Sequence, residues 1–280
     1  MGVRRAIRKR SQPYCDRYNS HARTFADSLR MIDPRPLWPY PRIIAHRGGG
    51  LLAPENTLAA IRLARNLGFI AVEFDVKLTG DGVPVLMHDD ELERTTDGRG
   101  LVAQATYQDI AKLDAGSWFG NEFTREPVAT FAAASALCRE AGVWANIEIK
   151  PSPGQERETG EVVARMAKLL WSGSHPPPLL SSFSPLALEA AAVECPELPR
   201  ALLVVETSAN WLAQLERLQC VALHVSHQHL DRALVKAVHD AGRGVLTYTV
   251  NDSETALNLL EWGVDALVTD QLDAITPAFA

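Results

Sequence analysis

The sequence is poor in cysteine and has no long hydrophobic run, and each shortage argues against a class of protein. The four cysteines, Cys15, Cys138, Cys195 and Cys220, lie far apart and form no C-x-x-C pair. This spacing favours free thiols in a reducing cytoplasm over a disulfide framework. No apolar run approaches the roughly 18 residues of a transmembrane helix. The sequence therefore predicts a cytoplasmic protein with no transmembrane segment.

Positive charge is scarce outside the first 42 residues. Residues 1–42 contain ten Lys or Arg and three Asp, a net charge of +7, which leaves −13 for the rest of a chain whose total is −6. An acidic body argues against a nucleic-acid partner. The basic leader lacks the apolar stretch of a secretory signal. We expect residues 1–42 to form a flexible basic extension, with attraction to anionic lipids as the alternative.

A regular alternation of strand and helix patterns begins at residue 43. The chain has 280 residues, 46% of them hydrophobic, which is enough to bury one large core. Predicted strands are 43–46, 70–76, 144–149, 179–183, 200–205, 221–225, 245–250 and 264–269, and predicted helices are 56–67, 130–141, 156–171, 185–194, 208–217, 231–241 and 253–262. This α/β pattern predicts a (β/α)₈ TIM-type barrel over residues 43–276, a fold that takes about 250 residues. A dinucleotide-binding open sheet would need a GxGxxG after the first strand, and none is present.

One segment interrupts the alternation. Residues 77–127 contain no long helical pattern, and Thr79-Gly80-Asp81-Gly82 followed by Val83-Pro84-Val85-Leu86-Met87 is typical of a β-hairpin. We expect the second half of the hairpin to pair antiparallel with the second barrel strand. The rest of the segment is then a small inserted cap over the barrel mouth.

The first strand ends in titratable and flexible residues. His46 and Arg47 are followed by three glycines, which would let backbone approach a ligand closely. Pro54, Glu55 and Asn56 then indicate the start of a helix. On its own this stretch is equally consistent with a basic strand–turn–helix joint.

Carboxylates interrupt two strands that should be apolar on both faces. Strand periodicity places Glu73 and Asp75 on one face of the second strand, and Asn146, Glu148 and Lys150 on one face of the next barrel strand. Three converging carboxylates suit a hard divalent cation, Mg²⁺ or Ca²⁺. The alternative is a buried salt-bridge network that uses Lys150, Arg47 or Lys77.

Histidines supply the other candidate chemistry. With a hairpin loop of Gly80-Asp81, His88 falls opposite Glu73, and with a loop of Asp81-Gly82 it falls opposite Asp75, so both registers bring it to the carboxylate face. His46 borders the same mouth, and the two imidazoles form a candidate acid–base pair.

A second histidine cluster, His224-Val225-Ser226-His227-Gln228-His229, could suggest a further metal site. Strand spacing places His227 and His229 on one face and His224 on the other. We therefore expect a polar loop after the seventh strand.

These motifs resemble those of the glycerophosphodiester phosphodiesterase family, in particular its short cytosolic bacterial members. The resemblance is carried in the family's order by His46-Arg47-Gly48, Pro54-Glu55-Asn56-Thr57, Glu73-Phe74-Asp75-Val76, His88-Asp89, Glu148-Ile149-Lys150 and Tyr248-Thr249-Val250-Asn251. One departure is Tyr248, where the family usually has Trp, which keeps an aromatic wall but adds a hydroxyl.

The resemblance implies a role for each matching residue. Glu73, Asp75 and Glu148 would bind one divalent cation, and His46 and His88 would act as acid and base. Arg47 and Lys150 would hold the phosphate, Tyr248 would face the glycerol, and Glu55 would bind either the metal or the glycerol hydroxyls.

The implied reaction is hydrolysis of a small glycerophosphodiester to sn-glycerol 3-phosphate and an alcohol through a cyclic phosphate. The alternatives are a lysolipid-directed phospholipase D-like or cyclising enzyme of the same superfamily, which an apolar cleft in the cap beside Trp118-Phe119 would favour, and a non-catalytic phosphate-ester binding protein. No histidine or carboxylate of the implied set is missing, which argues against the last. Whether the chain forms a homodimer stays open.

Overall fold

Eight parallel strands form a closed barrel in the computed structural model, which describes residues 38–279. The strands in chain order are β1 (Ile43–Ala45), β2 (Ala71–Leu78), β3 (Pro84–Leu86), β4 (Trp144–Ile149), β5 (Leu179–Ser182), β6 (Arg200–Val204), β7 (Ala222–Ser226), β8 (Gly244–Tyr248) and β9 (Ala266–Thr269). All except β3 are parallel neighbours, and β1 pairs with both β2 and β9 to close the ring. The predicted (β/α)₈ barrel is confirmed.

Seven helices connect the barrel strands, as predicted, and one short helix lies in the insertion. The helices are α1 (Leu58–Asn66), α2 (Tyr107–Ile110), α3 (Phe131–Ala141), α4 (Glu156–Leu170), α5 (Pro185–Glu194), α6 (Trp211–Arg217), α7 (Arg232–Asp240) and α8 (Ser253–Glu261). Five of the seven begin at a side-chain cap: Thr57, Thr130, Ser184, Asp231 and Asp252 each accept a hydrogen bond from an amide of the first turn. Such caps satisfy amides that lack a helical partner, which explains why these helices start where they do. Within residues 38–279, no helix is long and apolar enough to cross a bilayer.

The barrel interior changes from apolar to polar along the strands. Near the amino ends the interior is filled by small and aromatic side chains, among them Ala71, Trp144, Ala201 and Ala222. Two residues further along β2, β4 and β7, the same face carries Glu73, Asn146 and His224. The carboxyl ends of the strands therefore hold the polar groups, which is where active sites of this fold lie.

The predicted hairpin and cap follow β2. β3 pairs antiparallel with β2, with Val76 opposite Leu86 and Lys77 opposite Val85. The insertion has its own small core, made by Val85, Met87, Leu92, Val102, Ile110, Ala115 and Val128.

Residues 38–42 belong to the predicted N-terminal extension, which is expected to span residues 1–42. At the bottom of the barrel the ring of Tyr40 contacts those of Trp38 and Trp144, and the amide of Leu267 donates to the carbonyl of Arg42. Residues 38–42 therefore pack against the barrel. The rest of the predicted extension, residues 1–37, lies outside the described residues.

Candidate active site

A cavity of about 180 Å³ opens at the carboxyl ends of the barrel strands. Eight of the nine residues selected from the sequence line it: His46, Arg47, Glu73, Asp75, His88, Glu148, Lys150 and Tyr248. The ninth, Glu55, is not part of the lining. The strands thus bring together residues that are up to about 200 positions apart in the chain.

The three selected carboxylates form one buried cluster. Asp75 on β2 lies opposite Glu148 on β4, and Glu73 is two residues earlier on the same face. One oxygen from each of these residues lies within 4.8 Å of the others. Burial, followed by the charge of Asp75, raises the pKa of both Glu73 and Glu148, since an ionised carboxylate loses hydration and meets a like charge.

Two cations partly neutralise the cluster. Lys150 Nζ lies 3.3 Å from Asp75 Oδ1 and 2.9 Å from Glu148 Oε1, and Arg47 Nε lies 3.7 Å from Asp75 Oδ2. Burial opposes the ionisation of Asp75, but Lys150 and Arg47 outweigh it and lower its pKa to about 2. Lys77, the third cation considered from the sequence, pairs with Asp90 instead. The alternative of a salt-bridge network is therefore correct for Arg47 and Lys150, which form ion pairs with Asp75 and Glu148 but not with Glu73.

Glu73 has a buried carboxylate oxygen without a hydrogen-bond partner among the described residues. Its Oε2 accepts a hydrogen bond from the amide of Arg47, whereas its buried Oε1 has no hydrogen-bond partner among the described residues. A buried oxygen without a partner is costly. An all-oxygen set of this size and charge fits a hard divalent cation.

His46 is held by a carboxylate that sequence reasoning missed. Its Nδ1 lies 2.6 Å from Asp270 Oδ1, and Asp270 Oδ2 accepts a hydrogen bond from Asn251 Nδ2 at 2.9 Å. Its Nε2 faces Glu73 Oε2 at 3.9 Å. Burial lowers the pKa of His46, but the hydrogen bond to Asp270 and the charge of Glu73 outweigh burial, so the pKa is raised. Asn251 belongs to the recognised motif, but no local pattern connected Asp270 to His46.

The predicted register of His88 is wrong in both versions. The amide of Thr79 donates to the carbonyl of Val83, so the hairpin loop has three residues, and Gly82 adopts a φ of +79° within it. Met87 therefore lies opposite Asp75, where its amide donates to the Asp75 carbonyl. His88 still lines the cavity because β3 ends at Leu86, and strand alternation no longer applies after that point.

His88 and Arg47 are connected by a chain of charged groups. His88 Nδ1 lies 2.7 Å from Asp89 Oδ1, and Arg47 Nη1 donates to Glu55 Oε1 at 2.7 Å. Arg94, from the inserted cap, donates to both carboxylates: to Asp89 at 2.5 and 3.0 Å and to Glu55 at 2.7 and 2.9 Å. Glu55 therefore lies behind Arg47, where two arginines occupy its oxygens. Arg94 was not selected from the sequence because nothing local marks it.

The loop after β1 has an unusual backbone conformation and packs closely against neighbouring strands of the barrel. Arg47 and Asn56 adopt left-handed backbone conformations with φ of +49° and +59°. Asn56 binds both the side chain and the backbone of Asp75: its Nδ2 donates to Asp75 Oδ2, and its Oδ1 accepts from the Asp75 amide. A side chain at Gly50 would collide with the backbone of Asp270. Close packing within the protein therefore requires glycine at position 50.

Tyr248 presents only its ring to the cavity. Its hydroxyl donates to the carbonyl of Val204 at 2.7 Å, and its ring meets Phe183 edge to face at 6.0 Å. The hydroxyl that distinguishes Tyr248 from the Trp of the resembled family is thus satisfied within the protein and orients the aromatic wall.

His224 is a cavity residue that was not selected as a site residue from the sequence. It lies on β7 and lines the cavity, while residues His227–His229 form a short 3₁₀ helix after the strand. The predicted loop after the seventh strand and the separation of His224 from His227 and His229 are therefore both correct. The signal was available, because His224 is a polar residue on a strand buried on both faces, as are Glu73 and Asp75.

Comparison with known proteins identifies the family of this chain. The model of the glycerophosphoryl diester phosphodiesterase family matches residues 46–274. The chain belongs to this family. The family resemblance and the enzyme class predicted from the sequence, glycerophosphodiester phosphodiesterase, are thereby confirmed.

Several members of the family are similar to the chain over most of its length. YhdW of Bacillus subtilis is 34% identical, with 83% of this chain and 96% of the relative covered. A glycerophosphodiester phosphodiesterase of Caldanaerobacter subterraneus is 32% identical, with 83% and 95% covered. The structure of a phosphodiesterase from Oleispira antarctica, in complex with the product sn-glycerol-3-phosphate, is 41% identical with a TM-score of 0.80, and covers 82% of this chain and 93% of its own.

Proposed function

We propose that the protein hydrolyses glycerophosphodiesters to sn-glycerol 3-phosphate and an alcohol, with one divalent cation, Mg²⁺ or Ca²⁺, held by Glu73, Asp75 and Glu148. The observation that carries the proposal is the cavity itself, in which the carboxylate cluster, two histidines and two cations meet. The product named for the Oleispira antarctica structure supports the same substrate class.

Arg47 and Lys150 are suited to hold the phosphate. Both point into the cavity, and the buried Nε of Arg47 has no hydrogen-bond partner within the described part of the chain. A guanidinium presents donors in a planar fork that matches phosphate oxygens. When bound, the cation would supply positive charge that offsets the negative charge of the phosphate.

The two histidines are suited to move protons on either side of phosphorus. In the proposed first step, the glycerol 2-hydroxyl attacks phosphorus, one histidine accepts its proton, and the other protonates the oxygen of the leaving alcohol. A water then opens the cyclic phosphate with the two roles exchanged. Thr249 lines the cavity, but its hydroxyl is not hydrogen-bonded to a base in the described residues. This supports attack by the substrate's own hydroxyl over attack by a protein nucleophile.

The lysolipid alternative gains no support from the cavity. Trp118 is 43% exposed, but its indole donates to the carbonyl of Ala115, its ring packs against Phe119, and neither residue lines the cavity. From the inserted cap, His88 is the residue that reaches the lining among those described.

The proposal includes a cytoplasmic location. Cys138, Cys195 and Cys220 are buried free thiols, which supports a reducing compartment. A homodimer remains a further prediction.

The test is release of sn-glycerol 3-phosphate from a panel of glycerophosphodiesters with different head groups, and from a lysophospholipid. Activity should disappear with a chelator and return with Mg²⁺ or Ca²⁺. A substrate lacking the glycerol 2-hydroxyl should bind as a competitive inhibitor and scarcely react. The reason is that an oriented internal nucleophile can lower the activation barrier of the reaction by up to about 7–11 kcal/mol. Full activity in chelator would contradict the role of the cation. Rapid turnover of the 2-deoxy substrate would favour direct attack by water.

A further inference from the structure

His224 is a buried histidine without a partner on the wall of the cavity. It is 1% exposed, and neither Nδ1 nor Nε2 has a hydrogen-bond partner among residues 38–279. Its in-register neighbours on the adjacent strands are Leu203 and Leu246, both of which also line the cavity. The imidazole therefore lies on an apolar wall with both nitrogens unused.

Nothing in the packing of this wall requires a histidine. An unpartnered polar group in an apolar environment costs free energy, and a leucine at this position would avoid that cost. Burial lowers the pKa of His224 to about 3, so the ring is neutral at ordinary pH. A neutral imidazole offers one donor and one acceptor, which matches a hydroxyl group better than it matches a phosphate or a metal-bound carboxylate cluster.

The strand order separates His224 from the charged groups. In the closed ring, β7 lies four strands from β2, which carries Glu73 and Asp75, and three strands from β4, which carries Glu148. In an eight-stranded barrel these positions face each other across the interior. A substrate whose phosphate lies at Arg47 and Lys150 would therefore reach His224 with the part that extends across the cavity.

That part is the glycerol. The alcohol head group varies among glycerophosphodiesters and needs the open mouth of the barrel, whereas the glycerol is constant and can occupy an enclosed volume. We propose that His224 hydrogen-bonds the terminal hydroxyl of the substrate's glycerol and so selects glycerol esters over otherwise identical phosphodiesters. The inference rests on the proposed function, because it takes a glycerophosphodiester as the substrate.

The test compares two substrates with the same head group, a glycerol ester and the corresponding propane-1,2-diol ester. The second keeps the attacking 2-hydroxyl and lacks only the terminal hydroxyl. The unmodified enzyme should prefer the glycerol ester by about 10- to 100-fold in kcat/KM, because the second substrate leaves the buried imidazole unpaired. In His224→Leu this preference should disappear, and in His224→Gln, which keeps a donor and an acceptor, part of it should remain.

A control variant tests whether the effect is specific to the cavity, and a Tm measurement separates loss of binding from loss of folding. His227 also lacks hydrogen-bond partners among the described residues but lies outside the cavity lining, so His227→Leu should keep the full preference. The Tm of His224→Leu without substrate should be unchanged or higher, since the substitution removes unpaired polar atoms, whereas a structural histidine would lower it. If the leucine variant does not fold, His224→Phe repeats the measurement with a ring that has no nitrogens.

The outcomes are distinct. A preference that persists in His224→Leu overturns the inference and leaves the proposed function intact. Absence of sn-glycerol 3-phosphate release by the unmodified enzyme from every glycerophosphodiester overturns the proposed function and the inference together.

Discussion

Each candidate catalytic histidine is bound by a carboxylate at the same ring atom. Asp270 lies at Nδ1 of His46, and Asp89 lies at Nδ1 of His88. The pKa of Asp270 is lowered despite burial by its hydrogen bond to His46, and that of Asp89 is lowered by its hydrogen bond to Arg94. An ionised carboxylate only accepts hydrogen bonds, so the ring proton lies on Nδ1. Nε2 of each histidine is then left to exchange protons with a substrate.

At the residue scale, we predict that Asp270→Asn lowers kcat by about 10²–10⁴. The amide can donate to Nδ1, which would move the proton of His46 to Nε2 and leave the ring in the wrong tautomer. Calorimetric titration of the variant with Mg²⁺ or Ca²⁺ should still show binding, because the proposed ligands are carboxylates on β2 and β4.

The matched control is Asp273→Asn, an exposed aspartate three residues later, which should retain full turnover. If Asp270→Asn also retains it, Asp270 does not orient the histidine.

The β2–β3 hairpin brings His88 to the cavity although the predicted strand register of the hairpin is wrong. A two-residue loop was expected, and the three-residue loop shifts the register by one position relative to either alternative. His88 reaches the cavity only because the strand ends two residues before it. Arg94, in the inserted segment after it, then connects this segment to Glu55 and Asp89.

At the element scale, we predict that Arg94→Gln lowers kcat/KM by about 10- to 100-fold, because both Asp89 and Glu55 lose the group that holds them, and small displacements of reacting groups are costly. Arg94 is 45% exposed at its side chain, so the change in Tm should be small. Steady-state kinetics and thermal unfolding of the same preparation measure the two effects.

Arg99→Gln, in the same insertion, is the control and should behave like the unmodified protein. In an Asp89→Asn, Glu55→Gln background, Arg94→Gln should have little further effect. A full additional loss in that background would show that Arg94 acts through other contacts.

At the scale of the whole molecule, the site is built at the expense of stability. Glu148 is buried beside Asp75, and its pKa rises from 4.5 to about 8. Between these values the folded chain retains a proton that the unfolded chain has lost, so the free energy of unfolding falls as pH rises. This destabilisation is largest when no cation offsets the charge of the carboxylates.

We predict that Glu148→Gln, which resembles the protonated acid, stabilises the chelated protein increasingly as pH rises. Relative to the unmodified protein, its Tm should gain about 2–4 °C or more between about pH 5 and about pH 8, the shift that about 1 kcal/mol produces in a domain of this size. Thermal unfolding in the presence of a chelator measures this difference.

Saturating Mg²⁺ or Ca²⁺ should reverse the order of the two proteins, because the cation would stabilise only the protein with all three carboxylates. A Tm difference that does not change with pH would show that Glu148 is ionised throughout this range in the folded state.

By itself the sequence determined the barrel and the polar residues on the inner faces of β2 and β4. The reason is that strand and helix periodicities are local, so a count along the chain places Glu73 with Asp75 and Glu148 with Lys150. Residue types at strand ends then indicated the chemistry. The same rule, applied to His224, would have placed it on the inner face of β7.

Only the tertiary structure decided which side chains meet across the mouth. The pair His46–Asp270 joins residues 224 positions apart, and it exists because β1 and β9 are neighbours in the closed ring. Arg94 reaches Glu55 and Asp89 from a segment without periodic structure, which no count along the chain can place. Such contacts depend on barrel closure and loop length, and neither is encoded within the few residues that a local pattern covers.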